Sequence, residues 1–286
     1  MRTSNLVGFL VVASVIVTSV VEASDTSATL QPRPEGWLVK SATDIDLPPP
    51  PASDESEIDK VRELVRQRSA LDVERILWWD AGGPAYRWNE IAIEVMLEEF
   101  VTSLPASRNL ALLHAAIDDA VMAASAAKQE VKRARPSVVD PSIATVLPAP
   151  ESPSYPSDYA AAATAAAEVL GYLLPDRKEM FAARAEEAIR SRLLAGLEYP
   201  SDADAGRAIG RKVADLAIAR GKSDGSDRKW TGTVPQGRGK WQGSDPIAPM
   251  AGTWQPWVLS RPDEFRPAAP PDSSRRAARP DRRRPR

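Results

Sequence analysis

The sequence predicts an all-α protein, on three observations. Apolar residues recur at spacings of three and four along six stretches. No stretch alternates apolar and polar residues as a half-buried strand does. Alanine crowds positions 160–167, where small side chains let helices approach closely. With 286 residues, 43% apolar and 27% charged, the chain has the balance of a soluble globular protein with room for one or two domains.

The elements follow in chain order. Arg2, the mostly apolar run Leu6 to Val21 and the small-x-small step Val21-Glu22-Ala23 read as an export signal over 1–23, cleaved before Ser24. The apolar run is shorter than the roughly 20 residues of a membrane span and includes Ser14, Thr18 and Ser19; an uncleaved anchor is the alternative. No later stretch reads as a span, so the mature protein is expected outside the cytoplasm, periplasmic or extracellular. Residues 24–55, with Gln31-Pro-Arg-Pro34 and prolines 48–51, have a linker composition and are expected to be disordered.

A helical domain is expected over 56–271. Ile58, Val61, Leu64 and Val65, then Leu71, Val73, Ile76 and Leu77, form its first helical run, broken at Gly82-Gly83-Pro84. A second helix is expected from about Trp88 to Ser103. A third follows Pro105, with Leu110, Leu113, Ile117 and Val121 as its stripe. The alanine-rich fourth opens at Tyr155-Pro-Ser157 and stops at Pro175, and the fifth runs from Asp176 to about Leu194, before Gly196. The sixth runs from Ser201-Asp202 to Arg220, with Ser201 and Asp204 in capping-box spacing.

Residues 221–271 leave the helical pattern. Trp230, Trp241, Trp254 and Trp257, set among Gly and Pro, read as a segment wrapped over the bundle and pinned by its indoles. The other reading is a stacking platform for bases or sugars, served by Lys229, Arg238 and Lys240 but diluted by Asp245, Pro246 and Pro249. The tail, 272–286, holds seven Arg against two Asp and is expected to be disordered. It is either an electrostatic arm for an anionic partner or a stretch arising from a shifted frame or truncation.

Composition also excludes. Without cysteine there is no disulfide scaffold, zinc finger, thiol nucleophile or iron–sulfur cluster. The one histidine, His114, rules out every site that needs two. It lies beside Leu113 on the apolar stripe and reads as a core histidine with one satisfied hydrogen bond rather than a surrogate acid. Asp118-Asp119 reads as a solvated face with one packing contact, so no metal site is expected. Lys132 and Arg133 read as a basic surface patch. The formal charge of −2 hides an acidic body, since the tail alone contributes +5, and no specific nucleic-acid partner is expected.

Three short segments carry chemistry. They are Lys128-Gln-Glu-Val-Lys-Arg-Ala-Arg135-Pro136, then Pro153-Ser-Tyr-Pro-Ser157-Asp158-Tyr159-Ala160, then Ser191-Arg192 followed by Glu198 and Asp202. Lys128 falls seven residues after Val121 and so returns to the buried stripe of its helix. Arg135 precedes proline and should be extended. Ser157 opens a helix, where free N–H groups favour an anion. Arg192 can grip two oxygens at once.

In order, spacing and flanks these segments resemble the signature of the type 2 phosphatidic acid phosphatase and vanadium haloperoxidase superfamily, over about residues 105–225. The Trp-rich stretch is similar to the segment that follows in soluble, exported, haloperoxidase-like members. The resemblance implies a helical bundle of that type, descended from a phosphate monoester hydrolase. It implies an oxyanion or phosphomonoester ligand held by Lys128, Arg135, Ser157 and Arg192. It also implies catalytic positions at Tyr159, Glu198 and Asp202, where the family has histidine, histidine and the aspartate that orients the second histidine. Here both histidines are replaced, and Asp158 stands where the family has glycine. A tyrosine near pKa ~10 is a poor acid at neutral pH, and Glu198 among cations is expected to act as a resident anion. Impaired hydrolysis is therefore expected, and vanadate is not, for want of its histidine ligand. A non-enzymatic exported binding or structural module is the alternative.

Overall fold

The described residues of the computed structural model, which are 35–41, 45, 47–51, 55–237 and 240–268, hold eight α-helices, two short 3-10 helices and no strand. In order the α-helices are α1 (Glu55–Gln67), α2 (Ala70–Asp80), α3 (Tyr86–Glu98), α4 (Ser103–Val131), α5 (Pro136–Val139), α6 (Asp158–Leu173), α7 (Lys178–Leu194) and α8 (Pro200–Ser223). The signal expected over 1–23 and the tail, 272–286, lie outside the described residues.

Local chemistry explains where this departs from the six expected helices. The first helical run is two helices, because Ser69 and Asp72 cap each other. The Ser69 Oγ accepts from the Asp72 N–H at 3.2 Å, and the Asp72 carboxylate accepts from the Ser69 N–H at 2.9 Å. Phe100, in the left-handed region at φ 54°, closes α3 short of the expected Ser103. α4 starts at Ser103 rather than after Pro105, since a proline in the first turn gives up an N–H that has no intrahelical acceptor. At α8 the capping contact is Asp202 accepting from the Tyr199 N–H at 2.8 Å, not the Ser201–Asp204 pair.

α6 is apolar around most of its circumference, Glu168 being its exposed residue, so most of it must be buried. Ala160 to Ala163, Ala165 and Ala166 are fully buried, with α4, α7 and α8 packed around them. On α8, Gly206 and Gly210 stand four residues apart and so share one face. A Cβ on Gly210 would lie 2.6 Å from the Ala161 carbonyl oxygen, and one on Gly206 would lie 2.7 Å from the Ala160 Cβ. This close approach brings the starts of α6 and α8 together, where the Ser157 N–H donates to the Asp202 carbonyl at 2.9 Å.

Three further expectations change. The stretch Ser103–Val139 is long and apolar enough to cross a membrane by length and composition, although half of its apolar window is buried inside the bundle. Part of the expected disordered linker is held in place. Asp119, fully buried rather than solvated, accepts backbone N–H groups from Trp37, Leu38 and Val39 at 2.6–2.8 Å, and Asp118 accepts from the Trp37 indole at 3.0 Å. In the Trp-rich segment the indoles divide. Trp257 packs on the core under the Arg220 guanidinium and against the edge of Trp37. Trp230 and Trp241 are exposed, so they pin nothing.

Candidate functional site

The starts of α6 and α8, the end of α4 and the last turn of α7 converge, and each delivers a charged side chain. Lys128, in the last turn of α4, is buried on the helix's inner face. Its ammonium donates to the carbonyls of Pro153 (2.8 Å) and Ser154 (3.1 Å) and lies 3.6 Å from Asp158 Oδ1. The backbone then turns at Lys132, left-handed at φ 53°, and runs extended through Arg135. The Arg135 guanidinium donates to the carbonyls of Pro150, Ser152, Pro153 and Leu197 and to the Ser152 hydroxyl, at 2.9–3.3 Å. It ties the 150–154 loop to the α7–α8 connection.

Ser157 is the N-cap of α6, its Oγ accepting from the Ala160 N–H at 2.9 Å. Asp158 and Tyr159 follow in the first turn. Arg192, from α7, stacks its guanidinium 4.0 Å from the centre of the Tyr159 ring. Its Nη1 donates to Asp80 at 2.7 Å, and its Nε lies 3.8 Å from Glu198 Oε1. Glu198, on the α7–α8 connection, is 1% exposed, and neither carboxylate oxygen has a hydrogen-bond partner. Lys128, Arg135, Ser157, Tyr159, Arg192, Glu198 and Asp202 are thus brought to one region, as a buried charge cluster.

Asp202 faces a second set of partners. Its Oδ1 accepts from Arg133 at 2.8 Å, and Arg133 also donates to Glu57 and to the Ser201 hydroxyl. Arg133 is therefore no surface patch: it is buried, stacks 3.8 Å from the Tyr199 ring and ties α1 to the start of α8. Lys132 beside it is exposed.

The electrostatics follow from this packing. Burial pushes the Tyr159 phenol up to about 12 against the pull of Arg192. Burial also pushes Asp202 up to about 6, opposed by the Tyr199 N–H and Arg133 and reinforced by Glu198. Burial works against the Asp158 carboxylate too, but Lys128, Arg192 and Arg135 outweigh it and hold the group below the usual carboxylate range. Arg135 is shifted down by burial, with Glu198 opposing.

Four members of the cluster escaped the sequence reading as partners. Asp158 was visible as a replaced glycine. Asp80, 112 residues from Arg192, carries no local signal. Nor do Arg133 and Glu57, whose contacts cross between distant elements. His114 stands apart, its Nε2 3.0 Å from the Asn89 side-chain oxygen. It lies fourteen residues before Lys128, about 21 Å along the helix axis.

The helical bundle closed around α6 has the all-α fold of a vanadium-dependent haloperoxidase. A bacterial vanadium-dependent iodoperoxidase superposes with a TM-score of 0.58 at 20% identity, covering 66% of this chain and 60% of that protein. A transmembrane PAP2-type phosphatidylglycerolphosphate phosphatase from Bacillus subtilis superposes with a TM-score of 0.46 at 18% identity, covering 65% of this chain and 93% of that one. The chain thus spans less than two thirds of the iodoperoxidase, and at such identity the likeness shows the fold alone. No protein-family model matches the sequence, and no curated protein is significantly similar to it.

Proposed function

We propose that the chain is an exported member of the phosphatidic acid phosphatase/haloperoxidase superfamily that keeps an oxyanion site and has lost most or all of its hydrolytic power. One observation carries this reading: the cations that would hold phosphate already have partners inside the protein. Asp158 faces Lys128, Asp80 and Glu198 face Arg192, and backbone carbonyls take Arg135. An entering phosphate competes with those carboxylates and meets no group suited to the reaction. Tyr159, at about 12, is too weak an acid to protonate a leaving group at neutral pH. A carboxylate at Glu198 would have to attack phosphorus through the repulsion of a fully ionised phosphate.

Vanadate does not fit this donor set. Its covalent ligand position presents a carboxylate in place of a nitrogen donor, and the one histidine is hydrogen-bonded to Asn89 elsewhere. No halide oxidation is expected with vanadate and peroxide.

The test is hydrolysis of p-nitrophenyl phosphate by the full chain. Wild type should show none above a no-protein control. The triple variant Asp158→Gly, Tyr159→His, Glu198→His should gain measurable turnover, because it removes the carboxylate facing Lys128 and restores an acid and a nucleophile. Wild-type hydrolysis abolished by Glu198→Gln would make Glu198 a working nucleophile and overturn the impaired reading.

A further inference from the structure

Two buried groups in the cluster keep hydrogen-bonding capacity that nothing in the protein uses. The Arg192 Nε–H has no acceptor, and neither oxygen of Glu198 has a donor. They face each other at 3.8 Å, beyond hydrogen-bond range, and Glu198 is 1% exposed. Unmet capacity of this kind is costly in a buried place.

The groups around them are committed elsewhere. Arg192 Nη1 is held by Asp80, and every Arg135 nitrogen donates to a carbonyl or to Ser152. Asp202 accepts from Arg133 and the Tyr199 N–H. Among the fully buried atoms of Arg192, Arg135, Asp202 and Glu198, what remains without a partner is one cationic N–H donor beside one carboxylate acceptor. Asp80 and Asp158, 38% and 26% exposed, form the less buried side of the cluster.

We infer that this site selects a tetrahedral oxyanion that carries its own proton, the monoanion of phosphate or of a phosphomonoester, and rejects sulfate. The selectivity presupposes the oxyanion site proposed above. A ligand that satisfies both open groups accepts from Arg192 and donates to Glu198. Phosphate monoanion does both, one oxygen taking the Nε–H while a P–OH donates to the carboxylate in a short charge-assisted bond. Sulfate is fully ionised, so it brings no donor and sets its oxygens against the Glu198 lone pairs. Glu198 is faced by Arg192 from α7, by Arg135 from the stretch after α4, by Tyr159 from α6 and by Asp202 from α8, while Asp158 of α6, with Lys128 of α4 beside it, acts on Arg192 and Arg135. Charges of both signs surround it, so the open donor–acceptor pair rather than net attraction sets the choice.

Calorimetric titration of the full chain with inorganic phosphate and with sulfate tests this, at about pH 5.5 and about pH 8, on either side of the second phosphate ionisation, which is about 6 for a monoester and about a unit higher for the inorganic ion. Wild type should bind phosphate about tenfold or more tighter than sulfate at the lower pH, and the advantage should fade at the higher. Glu198→Gln, whose amide donates as well as accepts, should bind sulfate about tenfold tighter than wild type does and lose the preference. Equal binding of the two anions by wild type at the lower pH, or a preference that survives in the variant, overturns the selectivity and leaves the oxyanion site standing. No binding of either anion by either protein overturns the site and the selectivity together. The wild-type contrast between phosphate and sulfate decides the matter even where the variant fails to fold.

Discussion

Replacing Asp158 with Asn removes one negative charge from the cluster while keeping the side chain's shape. The carboxylate lies 3.6 Å from the Lys128 ammonium. At an effective dielectric near 20, opposite charges about 4 Å apart attract by about 4 kcal/mol. Asp158 is 26% exposed, so water screens part of that attraction, and neutralising the group also relieves its desolvation. Losing an acid from the first turn of α6 costs a further ~0.3–1 kcal/mol. Lys128 keeps its bonds to the Pro153 and Ser154 carbonyls, so the net loss at neutral pH should be about 1–2 kcal/mol.

Phosphate reverses the sign. With the competing carboxylate gone, Lys128 has a charge-assisted contact to give, worth about 1.5–3 kcal/mol, or roughly ten- to a hundredfold in affinity. Thermal melts read both effects together. In chloride Asp158→Asn should melt below wild type, and added phosphate should raise its Tm more steeply than that of wild type. The folded-state pKa of Asp158 is depressed, so the stability it contributes is present above the ordinary carboxylate range and lost as pH falls through the depressed value. The wild-type advantage in chloride should therefore shrink on strong acidification. A variant as stable as wild type, with an unchanged response to phosphate, would refute the claim that Asp158 neutralises Lys128.

Further outcomes follow from the same structure. Gly210→Ala places a Cβ 2.6 Å from the Ala161 carbonyl oxygen, so overpacking should cost about 1–3 kcal/mol and lower the Tm by several degrees, measured by calorimetry. Asp202, raised from 3.8 to about 6, contributes stability that is fully present below its unfolded value and lost as pH rises through its folded one. Urea denaturation should show up to about 3 kcal/mol of such loss between those values, absent from Asp202→Asn. Asp119→Ala removes the acceptor for three backbone N–H groups, so the 35–41 segment should detach and trypsin should cut after Lys40 faster than in wild type, as read by mass spectrometry.

Much of the bundle was legible in the sequence because its signals are local. The 3–4 spacing of apolar residues, the alanine run of α6 and the prolines at helix starts depend on neighbours a few positions away, and backbone geometry translates them directly into helices. The placement of Lys128, Arg135 and Ser157 on an inner face, an extended stretch and a helix start was legible for the same reason. The division of the first helical run at Ser69 depends on a two-residue capping exchange that competes with a continuous apolar stripe, and the stripe alone does not reveal which wins.

The pairing of charges was not legible at all. The residue types that build an oxyanion site stand in the sequence, but whether their charges are free is decided by Asp80 reaching Arg192 across 112 residues, and by Glu57 holding Arg133 beside Asp202. Such contacts carry no periodicity, since they join elements that meet only after α4, α7 and α8 have closed around α6. Low dielectric inside that closed bundle then gives each contact its weight, strengthening the pairs that form and leaving Glu198 and the Arg192 Nε–H costly for want of a partner. Sequence alone determined most of the helices and several of the side chains that enter the junction. Only the tertiary structure decided which of their charges are already spent.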